Sequence, residues 1–191
     1  RSFIYKSATV SGHDMQGNLM NTNEGWAYKT FKYDKLGNNT EIAYFDKDSI
    51  PFMHPDGHHK AISTYEGNNE TRIEYYDKEN KLLSQNAIIV NEYDSYNNLL
   101  SMAFYNGDGS NGESESGWHR ASKKYDEMNR CVELMFVDKH GMPVDVEEEG
   151  RSRYKVKYTY DENGESSKWH YKANGDSVCI DGRVLDMAIF G

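Results

Sequence analysis

Few of the residues that staple or break a chain occur in this sequence: two cysteines and three prolines in 191 residues. Cys131 and Cys179 allow one bridge at most, or two free, partly buried thiols, so a cysteine framework is excluded as the basis of the fold. Long hydrophobic runs are missing as well. No stretch approaches the roughly 18 consecutive apolar residues that span a bilayer, so no membrane segment is expected, and Arg1 to Val10 lacks the layout of a signal peptide. Aliphatic material is scarce. Hydrophobic residues make up 37% of the chain and the mean hydropathy is −0.91, too little for a thick two-layer core. Positive charge is in deficit, with 22 Lys and Arg against 31 Asp and Glu and a formal net charge of −9. Nucleic acid and anionic membrane surfaces are repelled at that balance and are not expected as partners. Helical periodicity is absent at useful length. So are the Gly-x-Ser-x-Gly elbow, the His-Glu-x-x-His helix, the phosphate loop and the Cys-x-x-Cys pair.

What is present is aromatic and periodic. Fifteen Tyr, seven Phe and three Trp suit thin β structure, in which flat rings cover a sheet while hydroxyls stay wet. A Tyr followed by an acidic residue recurs at Tyr33, Tyr65, Tyr93, Tyr125 and Tyr160, at intervals of 32, 28, 32 and 35 residues. Four residues beyond each stands Gly37, Asn69, Asn97, Asn129 or Gly164, residue types that tolerate positive φ. The spacing predicts a type I turn closing into a left-handed position, a common hairpin connection. A second marker follows at Tyr44-Phe45, Tyr75-Tyr76, Phe104-Tyr105, Phe136-Val137 and His170-Tyr171, each with its own turn, and Asp14 to Gly17 reads as a partial earlier copy. Units restart at Gly25-Trp26, Gly57-His58, Gly117-Trp118 and Gly150-Arg151, and the third unit lacks that Gly.

The expected fold is therefore all-β: one domain over residues 1–191, an antiparallel meander of tandem β-hairpin repeats with about ten or eleven strands, forming an elongated twisted sheet or a β-solenoid-like stack. Its units span about 1–24 (partial), 25–56, 57–85, 86–116, 117–149 and 150–182, with 183–191 as a C-terminal cap or final strand. The five marker tyrosines are expected to form a ladder of cross-strand aromatic contacts. The chain opens at Arg1 partway through a unit, which reads as a segment of a longer polypeptide. Glu147-Glu148-Glu149 reads as a solvated loop.

The runs Tyr33-Asp-Lys-Leu-Gly-Asn-Asn-Thr-Glu41 and Tyr160-Asp-Glu-Asn-Gly164 resemble the Tyr-Asp repeats of bacterial Rhs and YD-repeat proteins, whose units are shorter. The stretch Gly25 to Pro55 is similar to longer-unit bacterial arrays with the order Tyr-Asp-x-x-Gly-Asn, Tyr-Phe-Asp, Gly plus an aromatic. The resemblance implies a secreted or cell-surface bacterial repeat protein and attaches no activity.

Several groups invite chemistry. His54, His58 and His59 in one loop have the grouping of a metal site, but His58 falls where Trp26 and Trp118 stand, a position taken by any flat ring. Asn106-Gly-Asp108-Gly-Ser110-Asn111-Gly-Glu113 alternates oxygen side chains as a calcium loop does, without the full EF-hand pattern, and coincides with a turn. Turn hydrogen bonds account for Asp34, Asp94, Asp126 and Asp161. The sequons at Asn38 and Asn69 also fall on turns. No catalytic residue, metal ligand or cofactor is assigned. Trp26, Trp118 and Trp169 are the rings that stack on a ligand such as a sugar face, or else pack on the neighbouring unit. The leading expectation is a non-catalytic extracellular scaffold, spacer or binding surface for protein or glycan. Alternatives are a fragment of an Rhs-like shell around a toxin and, last, an enzyme with a cleft on the sheet face.

Overall fold

The computed structural model describes residues 6–148, 151–164 and 166–181. The terminal stretch Leu185 to Phe190 lies outside them, as does Gly150. Among the described residues there is no helix, and the strands are β1 (Lys6–Ser11), β2 (Tyr28–Tyr33), β3 (Asn39–Phe45), β4 (Lys60–Glu66), β5 (Asn69–Tyr76), β6 (Ile88–Tyr93), β7 (Leu99–Tyr105), β8 (Arg120–Tyr125), β9 (Cys131–Val137), β10 (Val146–Glu148), β11 (Arg151–Arg153), β12 (Lys155–Tyr160), β13 (Ser166–Tyr171) and β14 (Ser177–Asp181). The chain divides into two compact units, one running to Asn91 with Tyr105–Ser110, the other comprising Glu92–Phe104 and the residues from Asn111 on. In the first, β1 to β6 pair in chain order; in the second, β7, β8, β9, β12, β13 and β14 do so, while β10 and β11 form a separate two-stranded ladder. The pairings are antiparallel. The expected all-β antiparallel meander is thus the observed architecture.

Most of the tight turns rest on an Asp at their first position, while Asn106 and Lys172 open two others. At Asp34, one carboxylate oxygen accepts from the backbone N–H groups of Leu36 and Asn38, both at 2.9 Å, while Gly37 N–H closes the turn onto Asp34 O at 3.2 Å. The same bonds recur at Asp14, Asp46, Asp77, Asp94, Asp126 and Asp138. The corner residue takes positive φ in each: 90° at Gly37, 66° at Asn97, 61° at Asn129 and 80° at Gly164. Asn69 departs from this expectation. Glu66 pairs directly with Asn69, so that hairpin has a two-residue connection, and Gly67 at its first central position carries the positive φ of 63°. That is the II′ arrangement, which favours Gly in just that place.

A bulge sits beside three of these turns, where pairing skips Thr40, Thr71 and Val132. The Thr40 and Thr71 hydroxyls donate to the carbonyls of Lys32 and Thr64, both at 3.2 Å. The two sequons therefore end in Thr because the bulge engages that hydroxyl.

The uneven intervals between marker tyrosines follow from loop lengths. From the residue that bonds back to the second marker, Phe52, Leu83, Gly112 or Val144, to the first residue of the next strand region, His59, Ala87, His119 or Tyr154, the chain takes seven, four, seven and ten steps. The 28-residue interval has the two-residue turn and the short loop, where Asn86 at φ 46° replaces the missing Gly. The 35-residue interval has the long loop, which folds as the β10–β11 ladder. Glu147 and Glu148 thus lie in a strand and not in an irregular loop. Arg151 belongs to that ladder too, and the next main strand begins at Lys155.

Packing is thin, as the composition requires. In the second unit Trp118, Ala121, Leu134, Phe136, Val146 and Val156 form the buried cluster, with Met102, Phe104, Val144 and Tyr158 against it. In the first unit ring pairs carry more of the contact, including Tyr28 stacked on Phe45 at 4.9 Å. In the second unit the contacts of the marker tyrosines are hydroxyl bonds to a neighbouring strand, in place of the expected ladder of aromatic contacts. Tyr125, ending β8, donates its hydroxyl to Leu99 O at the start of β7 (3.1 Å), and Tyr160, ending β12, donates to Cys131 O at the start of β9 (2.7 Å). Tyr65 donates to Glu70 in its own hairpin, and the Tyr33 ring lies 6.3 Å from that of Phe31.

Candidate functional site

The loops that open β2, β4 and β8 share one backbone design. Thr22, His54 and Ser114 N–H donate to Trp26, His58 and Trp118 O at 2.7–2.8 Å, and Gly25, Gly57 and Gly117 close the turn at positive φ. This geometry lays the ring at the next position onto the sheet. Trp26 is 8% exposed and Trp118 7% exposed, so neither is a surface platform for a ligand. Trp118 meets Phe104 edge-on at 5.0 Å and Phe136 at 5.7 Å. Trp26 lies 6.3 Å from Tyr44 and donates its indole N–H to Glu24 at 2.6 Å. Trp169 differs. It stands on β13 with 38% of its surface exposed, directly opposite Lys157 of β12. On the adjacent row Lys155 is placed over the rings of Tyr154 (5.2 Å) and Tyr171 (4.9 Å).

The histidine loop groups several titratable side chains. His54 stacks on Tyr44 at 4.4 Å, with Nδ1 3.1 Å from Asp56 and Nε2 3.6 Å from Glu24. His58 packs on Tyr75 at 4.9 Å, and His59 turns to meet Phe45 edge-on at 5.2 Å. The three rings therefore do not converge on one point, and among the described residues no group of three or more His, Cys, Asp or Glu is arranged to hold a metal. Burial lowers the pKa of His58, against the pull of the Asp56 carboxylate, and lowers that of His59 as well. His119 holds the position equivalent to His59. It is 6% exposed, and its Nδ1–H donates to Gly112 O at 3.1 Å, so this histidine pins a loop to its strand.

The loop with calcium-like spacing is not enlarged: it is a turn of the same length as its counterparts at Asp46 and Asp138, with Asn106 at the first position. Asn106 N–H donates to Ser110 O at 2.9 Å, Asp108 accepts from the backbone and hydroxyl of Ser110, and Glu113 pairs with Lys139 at 3.0 Å. Cys131 is a free, half-buried thiol whose pKa burial raises. Cys179 lies on β14, three strands away in the hydrogen-bonded order, beyond the ~7 Å Cα separation of a bridge.

Sequence reading placed His170 at a second marker without anticipating its burial and passed over Arg153; the two are 6% and 2% exposed. His170 occupies the second-marker position otherwise held by Tyr or Phe, and that alignment is the signal that finds it. Compared with known proteins, the chain matches no family model and no curated protein.

Proposed function

We propose that this chain is a non-catalytic, tandem-hairpin module of an exported bacterial protein, acting as scaffold or spacer with one sheet face available to a protein or glycan. The observation that carries this reading is the engagement of its chemically capable side chains in folding. Turn carboxylates accept backbone N–H groups, loop rings are buried, and His119 binds a loop carbonyl. Repeated hairpins set length and spacing, and variable residues on an open face supply contact area. Exposed Trp169 with Lys157 opposite is the part of that face best suited to a partner, since an indole stacks on sugar rings or apolar side chains.

Two measurements test the proposal. Hydrolase and glycosidase substrate panels, with zinc and calcium added, are expected to show no turnover. Activity that copurifies with the chain and persists in the Trp169→Ala variant would make it an enzyme instead. A glycan array probed with wild type and Trp169→Ala is expected to show signal that the substitution removes. Equal arrays would withdraw the glycan version and leave the scaffold.

A further inference from the structure

Four asparagines precede glycine in this chain: Asn106, Asn111, Asn163 and Asn174. That pairing has intrinsic chemistry, because a glycine N–H without a neighbouring Cβ approaches the preceding side-chain carbonyl more freely than any other residue does. The fold treats the four differently. Asn106 Oδ1 accepts from Asn86 N–H at 3.1 Å, and its Nδ2 donates to Ser110 Oγ at 3.0 Å. Asn111 Nδ2 donates to Lys139 O at 2.8 Å. Asn174 is held at both ends by Asp176, whose N–H donates to Oδ1 at 3.0 Å and whose carboxylate accepts from Nδ2 at 2.9 Å. Asn163 alone of the four has a carboxamide with no hydrogen bond among the described residues, and it is exposed at the tip of the β12–β13 turn. A Cβ placed on Gly164 would meet nothing within 4 Å, so space for ring closure is open on that side as well.

We propose that Asn163 is a self-modifying site, deamidated by the backbone of its own turn. The amide nitrogen of Gly164 attacks Asn163 Cγ, forming a C–N bond. The Cγ–Nδ2 bond breaks, and ammonia leaves with the proton that Gly164 N gives up. Water then adds to one of the two carbonyl carbons of the resulting cyclic imide. Opening at Cγ gives aspartate, and opening at the main-chain carbon gives isoaspartate. No atom changes oxidation state. The first product adds a negative charge beside Asp161. The second lengthens the main chain by one carbon inside a turn held by Asn163 N–H on the Asp161 carboxylate (2.9 Å) and Gly164 N–H on Asp161 O (3.1 Å). Ageing would therefore loosen the hairpin that carries Trp169.

The test is incubation of the full chain at mildly alkaline pH, with peptide mapping by mass spectrometry to follow the one-dalton gain at each site. Asn163 is expected to lead, ahead of the other three by about fivefold for each hydrogen bond they must break. The same chain unfolded in urea serves as the reference, and there the four rates should converge. Asn163→Gln should silence its own site and leave the other three unchanged. The proposal is overturned if another asparagine leads in the folded chain, or if the four rates are already equal there.

Discussion

A single carboxylate oxygen of Asp94 accepts the N–H groups of Tyr96 and Asn98 at 2.9 Å, while the other oxygen accepts the Asn98 side-chain amide. That side-chain amide, set against partial loss of hydration and helped by the two backbone donors, holds the Asp94 carboxyl below its ordinary pKa. Asp14 and Asp34 are lowered in the same way through Asn18 and Asn38, Asp126 through Arg130, and Asp138 through Met142 N–H. A carboxyl with a lowered folded pKa stabilises above its unfolded pKa, and the contribution is lost as pH falls through the folded value. His58 and His59 act higher on the scale. Their folded pKa values lie below 6.5, so the unfolded chain takes up protons first and stability falls as pH drops below that point. Urea midpoints measured against pH are expected to decline in two steps, one below about pH 6.5 and one below about pH 4. His58→Phe, which keeps a flat ring, should flatten the first step. An unchanged profile in that variant would remove His58 from the account.

At the scale of the element, strand pairing is supplemented by hydroxyls that reach from the end of one strand to the start of its neighbour. Tyr125 and Tyr160 perform the same task one hairpin apart, on the carbonyls of Leu99 and Cys131. Burial first, with nearby negative charge second, raises the Tyr125 phenol to about 12, so it remains a donor throughout the physiological range. Tyr125→Phe and Tyr160→Phe should each cost about 1 kcal/mol, since the ring still packs and one hydrogen bond is lost. Chemical denaturation of the two single variants checks this. A loss near zero at both positions would mean that water replaces the hydroxyl without penalty. The recurrence of Tyr is legible in the sequence because these residues sit at fixed distances from turn signals. Their bonding was not legible, because the carbonyl each one meets belongs to a different strand and is set by register.

For the molecule as a whole, the division into two compact units has a consequence for how damage spreads. Phe136 is 1% exposed and lies in the buried cluster of the second unit. Phe136→Ala removes its ring from that cluster and should cost roughly 3–5 kcal/mol. In a chain of hairpins that contact mainly their neighbours, the loss should stay local. Hydrogen exchange on Phe136→Ala is expected to show faster exchange in β8, β9 and β12 while β2 to β5 keep their protection. Uniform loss across both units would show instead that the chain unfolds as one cooperative body.

Strand, turn and the antiparallel class were determined by the sequence alone, because Asp, Gly and Asn act through bonds to residues two to four positions away and need no distant partner. Even the departures from periodicity were present there as intervals of 28 and 35 residues, although only the structure showed them to be a two-residue turn, a short loop and an added ladder. Tertiary structure decided which rings face solvent. Trp26 and Trp118 follow a glycine at the same loop position and are buried, while Trp169 lies within a strand and is exposed. Burial depends on which rings the neighbouring strands set against each Trp, and that is fixed only when the hairpins close in register. The parting of His59 from His54 and His58 was decided the same way: the rings of His54 and His58 lie 6.1 Å apart beside Tyr44, while His59 turns toward Phe45.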